Sequence, residues 1–475
     1  MKYIFTLAMA MLSMVTMAAV HNVKDYGAKG DGVTMDTKAV NAAIEAAVAG
    51  GGGVVYFPAG DYPCYSIHLK SNVTIYIESG AVITAAFPTA EEGYDAAEPN
   101  EDNPYQDFGH SHWKNSLMWA IGEHDITICG SGLIYGKGLT REESRLPGVG
   151  NKAISLKECR NVTIKDIRMN RCGHFAVLAT GVENLTLHNM LVDTNRDGFD
   201  IDCCRNVRVS DCTVNSPWDD AIVLKASYGL RYFKDTENVT ITGCVVSGYD
   251  QGSVFDATYQ TDEPQAPDHG YNCGRIKIGT ESSGGFKNIA ITNCIFDHCR
   301  GLALETVDGG VMEDVVVNNI TMRDIVNTPL FLRLGARQRS PEGTPVGAMR
   351  RITISNVSVS HSMSEYACLI SGIPGHKIED VNIENINIVF EGGYTVEDCG
   401  QVIPENEKTY PEPWMFGRIP AKGFYMRHVD GINLRNIKLK YLKPDTRPLF
   451  AGYEVEHMHV NDIFVDNVRQ ETINF

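Results

Sequence analysis

The sequence predicts an all-β chain wound as a right-handed parallel β-helix solenoid, with an N-terminal capping helix. Three observations predict it: a short strand phrase that returns at nearly constant spacing, the scarcity of helical periodicity, and one amphipathic segment close to the N-terminus.

The phrase is an Asn or similar turn residue, a short run alternating apolar and polar, a second turn residue, and another short run. It reads Asn161-Val-Thr-Ile-Lys-Asp-Ile, Asn184-Leu-Thr-Leu-His-Asn-Met and Asn206-Val-Arg-Val-Ser-Asp-Cys, spaced by 23 and 22 residues. It returns at Asn238, Asn288 and Arg351, where wider spacing implies loops inserted into coils. Period-2 alternation marks half-buried strands. A unit of ~22 residues cannot bury its own apolar face, so coils stack, with equivalent strands parallel and ~4.8 Å apart. Asn suits the turns because it tolerates left-handed backbone. A β-sandwich, the competing fold, would show less regular phrases.

The open end of a solenoid needs a cover. Thr37 to Val48 reads as a helix with Val40, Ala43, Ile44, Ala47 and Val48 on one face. Two segments stand outside the repeat, near 86–115 and 392–425. Long loops on a rigid scaffold commonly build binding clefts.

Lys2, the apolar run Ile4 to Met17, and Ala18-Ala19 read as a secretory leader over 1–19. The run is short for a membrane span. The remainder, 20–475, is expected to be one β-helix domain, exported to the periplasm or the exterior as a monomer without a membrane anchor. A net charge of −17 argues against nucleic acid as a partner and offers no long-range attraction to a polyanion. Thirteen cysteines cannot all pair internally. Cys212, Cys244 and Cys294 recur at one place in the phrase, which suits small apolar residues stacked in a core. Without a Cys-x-x-Cys pair or a His-rich cluster, no metal or cofactor is expected.

The chemistry concentrates in Asn195-Arg-Asp-Gly-Phe-Asp-Ile-Asp and Ser216-Pro-Trp-Asp-Asp-Ala. Asp197 precedes Asp219 and Asp220 by 22 and 23 residues, which is one coil, so stacking brings three carboxylates to one face. Glycoside hydrolysis needs two carboxyl functions, one to protonate the leaving oxygen and one to activate water or attack the sugar. Crowded like charges raise at least one pKa, which keeps an acid protonated. Asp200 and Asp202 alternate with Phe199 and Ile201 and are expected to face solvent. Trp113, Trp218, Tyr410 and Trp414 are candidates for stacking on sugar rings.

These motifs resemble glycoside hydrolase family 28, the polygalacturonases and their relatives, over almost the whole mature chain. Val23-Lys-Asp-Tyr-Gly-Ala-Lys-Gly-Asp-Gly and Gly53-Val-Val-Tyr-Phe-Pro-Ala-Gly-Asp-Tyr are shared with β-helix lyases and phage depolymerases; Ile128-Cys-Gly-Ser-Gly-Leu-Ile-Tyr-Gly-Lys-Gly continues the likeness. The specific part is Asn195-Arg196-Asp197, in place of the family's Asn-Thr-Asp, with Asp219-Asp220 as its Asp-Asp. The resemblance implies an inverting hydrolase acting on a polysaccharide or oligosaccharide. Asp219 would be the general acid, and Asp197 and Asp220 would hold and deprotonate the water. Asn195 and Lys225 match positions close to the bound sugar.

The sequence then departs from the family. Ile278-Gly-Thr-Glu-Ser-Ser-Gly-Gly fixes a register in which the family's histidine falls on Gly274, after Cys273. Arg275-Ile-Lys277 spells the family's carboxylate-binding motif one coil early. In register that motif falls on Ala303-Leu-Glu305, after Arg300-Gly-Leu, and Glu305 would repel a uronate. Arg275 and Lys277 are left to substitute from the neighbouring rung. This implies a pectin-like or neutral sugar chain rather than plain polygalacturonan. The alternatives are a β-helix lyase or epimerase, which needs a base with a cation or calcium and for which the register finds no obvious cation, and a non-catalytic carbohydrate-binding relative.

Overall fold

The computed structural model describes residues 19–100, 103–142, 144, 146–262, 272–400 and 402–471. The expected leader lies outside the described residues except for Ala19, which opens the first strand, Ala19–Asn22. The strands stack into three parallel sheets that run the length of a right-handed solenoid. One coil is Phe175–Thr180, Glu183–His188 and Leu191–Asp193; the next is Phe199–Asp202, Arg205–Ser210 and Thr213–Asn215. Val177 pairs with Phe199, Leu185 with Val207, and Val192 with Val214. Towards the C-terminus two strands of a coil merge: Val311–Arg323 pairs with both Phe286–Thr292 and Ile295–Asp297. The antiparallel pair Phe450–Val465 and Val468–Arg469 ends the stack.

The apolar half of each phrase points inward, so Val162, Leu185, Val207, Val239, Ile289 and Val315 form one buried column. Each such side chain contributes about 1.5–3 kcal/mol of burial. Cys212, Cys244 and Cys294 stack in the same manner, and all thirteen cysteines are free. The turn asparagines behave as expected and do one thing more. Asn161, Asn184, Asn206, Asn238 and Asn288 are left-handed, with φ between 55° and 59°. From Asn184 onward each amide also donates to the side-chain oxygen of the asparagine below, at 2.8, 3.1, 3.1 and 2.7 Å up the stack, and Asn161 donates to Asp125.

The helix Thr37–Ala49 buries Val40, Ala43, Ile44 and Ala47 against the first coils. Val48, expected on that face, is exposed, because it falls at the margin of the apolar stripe. No helix among the described residues is long and apolar enough to cross a membrane.

Both loops that interrupt the repeat fold back over one side of the solenoid. The first brings His110 onto strands Phe199–Asp202 and Ile222–Ala226. Trp113 anchors it: the indole is buried against Phe175 and Leu178 and donates to Thr180 Oγ1 at 3.1 Å, so it is not a sugar platform. The second loop leaves the sheet at Gly392 and rejoins it at Phe424, and its segment Thr409 to Trp414 reaches Arg275 and Arg300.

Candidate active site

The two acidic motifs occupy successive turns between strands. Phe199 pairs with Ile222, an offset of 23, so Asp220 stacks on Asp197 and Asp219 on Arg196. Gly198 donates to the Asp220 carbonyl at 3.0 Å and lies so close to the next turn that a Cβ there would meet the Ala221 carbonyl oxygen at 2.3 Å. Only glycine permits this approach of backbone to backbone.

The stacking gives each carboxylate a different environment. Asp219, on the cleft wall, accepts from Arg196 at 3.0 and 3.3 Å and from the Asp220 amide at 3.0 Å. Asp220 accepts from Arg275 Nε at 2.8 Å, faces Lys277 Nζ at 3.5 Å, and accepts from the Cys273 thiol at 3.2 Å. Burial alone would raise its pKa, but Lys277 and Arg275 overcome that and hold the carboxyl well below the usual range. Asp197 lies behind them and is 2% exposed. Burial first, then the charge of Asp219, push its pKa well above the usual value, with Lys225 opposing. Its Oδ1 is a buried acceptor without a hydrogen-bond partner among the described residues.

A cleft of about 540 Å³ opens over Asp219 and Asp220, with Trp218 beside them and Tyr410 and Trp414 of the second loop opposite. Of the expected ring platforms, these three line it. Arg275, Lys277 and Arg300 lie on its floor and meet carboxylates. Glu412, from the second loop, accepts from Arg275 and from Arg300 at 3.2 Å. Lys277 lies 3.5 Å from Glu305 as well as from Asp220.

Lys277 pairs with Ala303, so the Arg-Ile-Lys string lies one coil before Ala303-Leu-Glu305, as its register implied, but its cations do reach the acids. Val223 pairs with Lys277 and the Ala221 amide donates to the Arg275 carbonyl, so the string sits on the rung directly over the acids. The cleft therefore holds cations, and the objection that a lyase would find none is withdrawn. Glu305 does not confront a ligand. It is fully buried behind Lys277, accepts from Thr280 Oγ1 at 3.1 Å, and has its pKa raised by burial, against Lys277 and Arg275, to about 7. Gly274 supplies no side chain. With φ +62° and the Ser247 carbonyl 2.1 Å from where a Cβ would stand, it cannot be replaced, and its amide donates to the Asp219 carbonyl at 2.8 Å. The neighbouring side chain that meets an acid from this turn is that of Cys273, on Asp220.

Asp200 and Asp202 do not face solvent. They point out of the solenoid, as the alternation implies, but the first loop covers that side. Asp200 is 3.0 Å from His110 Nε2 and 2.9 Å from Lys225. Asp202 accepts from the Ser227 amide and hydroxyl at 2.7 and 2.6 Å. Lys225, expected beside the sugar, is enclosed with them and lies 3.3 Å from Glu281. Burial and Lys225 oppose protonation of His110, yet Asp200 together with Glu281 raises its pKa to about 9. Asn195 turns away from the cleft and accepts from Arg141 at 3.4 Å, at the edge of a second cavity.

Arg141, Glu412 and His110 were not identified from the sequence. Glu412 lies in the loop singled out as cleft-building, within Tyr410-Pro-Glu-Pro-Trp, and only that placement could have flagged it. Asp219, Asp220 and the Cys273 sulfur come within 4.8 Å of one another, but Arg275 and Lys277 already take up the Asp220 oxygens that a metal ion would need.

A family model described as rhamnogalacturonase A/epimerase, pectate lyase-like, matches residues 20–250. The chain is 24% identical over 403 residues to a probable polygalacturonase of Vitis vinifera, covering 77% of this chain and 73% of that protein. It is 23% identical over 450 residues to the exo-poly-α-D-galacturonosidase of Dickeya chrysanthemi, covering 84% and 73%. Among solved structures, the family 28 exopolygalacturonase of Yersinia enterocolitica superposes with a TM-score of 0.66 at 17% identity, over 93% of this chain and 78% of that one. Likeness at that identity speaks for the fold.

Proposed function

We propose that this polygalacturonase-like parallel β-helix hydrolyses a glycosidic bond in a pectin-derived or related saccharide chain, with inversion at the anomeric carbon. The observation that carries the reading is the stack of Asp197, Asp219 and Asp220 at one cleft, in electrostatic environments that pull Asp197 and Asp220 apart. Divergent environments let Asp197 and Asp220 take different parts in handling the water, while the acid role of Asp219 is supported by its place on the cleft wall and by the match of Asp219-Asp220 to the family's Asp-Asp.

In this reading Asp219, on the cleft wall, protonates the leaving oxygen as the glycosidic C–O bond breaks. Asp220, held anionic by Arg275 and Lys277, takes a proton from the water that bonds to the anomeric carbon. Asp197 offers its free oxygen to that water and fixes its position. The nearest Asp219 and Asp220 oxygens lie within 4.8 Å, closer than the ~6.5–9.5 Å usual for inversion, so the anomer released is the decisive readout for these two roles. Trp218, Tyr410 and Trp414 offer ring faces to the sugars. The protein acts as a monomer outside the cytoplasm once the 1–19 leader is removed, which N-terminal sequencing of the exported protein tests.

The deciding experiment is a product screen on pectic polysaccharides and aryl glycosides, with NMR of the first anomer released. Inverted product is expected, and retention would overturn the water-activating roles. Asp219→Asn should stop turnover while ligand binding persists. A second reading, β-elimination, is favoured by Arg275 and Lys277 beside Asp220, since a base next to cations is what a lyase needs. An ultraviolet-absorbing unsaturated product would select it. A wild-type protein that binds glycans but cleaves none would select a binding role.

A further inference from the structure

We infer that a second cavity, of about 390 Å³ and contiguous with the catalytic cleft, is a subsite for a carboxylate-bearing sugar unit of the same saccharide chain. The inference rests on the hydrolase reading, in which that chain lies along the cleft.

Three cations line this cavity, Lys137, Arg141 and Arg171, and no Asp or Glu among the described residues does. That is unusual in a chain of net charge −17. Among the described residues, Lys137 and Arg171 meet no carboxylate, and Arg141 meets only its neighbour Glu142, at 3.5 Å on the surface. A concave site lined by one sign of charge concentrates ions of the other sign. Guanidinium groups in particular bind planar carboxylates with two parallel hydrogen bonds.

Placement links the cavity to the chemistry. Tyr135 pairs with Asn170, Asn170 with Asp193, and Asp193 with Asn215, so Tyr135, Arg171 and Asn195 lie on the rungs just before that of Trp218 to Asp220. The cavity and the cleft are therefore neighbours along the solenoid axis, and Arg141 lines both. Its guanidinium lies 3.5 Å over the Trp218 ring while donating to Asn195, at the boundary between them. A saccharide lying along the axis crosses from one to the other past Arg141. Phe87, 65% exposed, supplies an apolar face on the cavity wall.

The test measures binding of oligogalacturonides of graded length, as free acids and as methyl esters, to the full chain carrying Asp219→Asn. Adding Lys137→Ala and Arg171→Ala together should weaken binding of the free acid about tenfold or more, equivalent to ~1.4 kcal/mol. The loss should be confined to the acid, and Arg171→Lys, which keeps the charge but not the two-pronged donor, should recover only part of what Arg171→Ala loses. Equal loss for acid and ester, unchanged acid binding, or no binding of the acid by the parent would each overturn the subsite. Turnover by the wild type is read separately. If it cleaves while the double substitution leaves acid binding unchanged, the subsite falls and the hydrolase stands. If it cleaves nothing while acid binding collapses in the double variant, the hydrolase falls and a carboxylate site stands.

Discussion

Two cavities lie side by side on one face of the solenoid and hold the same kind of cation, yet they differ in what faces it. In the cleft over Asp219 and Asp220, the residues Arg275, Lys277 and Arg300 are buried and meet Asp220, Glu305 or Glu412. In the neighbouring cavity Lys137 and Arg171 are exposed and face no carboxylate among the described residues. A buried cation left unpaired would cost several kcal/mol, so it arrives with its counter-charge built in. Its work is internal: it sets the protonation of Asp220 and fixes the Glu412 loop over the cleft. An exposed cation carries no such penalty and keeps its charge for a ligand. A cation near a saccharide site is therefore a ligand reader only when its charge has not already been spent on the fold.

The largest effect should come from the cleft. Asp219→Asn is expected to lower kcat by on the order of 10²–10⁴, measured by initial rates on the best substrate of the product screen. If Lys137→Ala with Arg171→Ala lowered kcat as much, the division between the cavities would collapse. Next in size is stability. Glu412→Gln leaves Arg275 and Arg300 without their shared carboxylate and should cost about 3–5 kcal/mol in denaturant unfolding. Lys137→Ala should stay within about 0.5 kcal/mol of the parent. Similar losses for both would mean that Lys137 is also a structural charge.

A smaller effect concerns pH. Glu305 has a folded pKa of about 7, above the ~4.3 of an unfolded chain. It therefore contributes stability that is whole below the lower value and is lost as pH rises through the upper one. Glu305→Gln should remove that loss, so melting temperatures followed against pH should move in favour of the variant between these limits. Asp220 has the opposite sign: its stabilisation disappears only as pH falls through its lowered pKa, outside this window. A parent and variant that melt in parallel across the window would remove Glu305 from the buried network. The smallest effect is on salt. Acid binding to the Asp219→Asn protein should weaken as ionic strength rises, because exposed cations are screened over ~8–10 Å. The slope should flatten when Lys137 and Arg171 are replaced.

What was legible in the sequence was whatever repeats with the coil. The spacing of the asparagine phrases predicted the stack, and the same spacing placed Asp197 against Asp219 and Asp220. What was not legible was whatever a loop covers. Alternation aimed Asp200, Asp202 and Lys225 outward, but His110, 90 residues before Asp200, closes over them. Arg275 and Glu412 are 137 residues apart, and no local pattern connects them. The register drawn from the glycine-rich motif placed the Arg-Ile-Lys string one coil before Ala303, where the structure has it, but could not show that Arg275 and Lys277 turn onto Asp220 from that rung.

The asparagine ladder sets the terms on which this scaffold can change. Successive rungs are separated by 23, 22, 32 and 50 residues, yet the side-chain hydrogen bond re-forms at each. A coil may thus bulge by more than its own length and still rejoin the stack in step. Lineages of this architecture can exchange the walls of the groove by insertion while the carboxylate stack keeps its alignment, and a new sugar specificity then requires no new fold and no displacement of the acids.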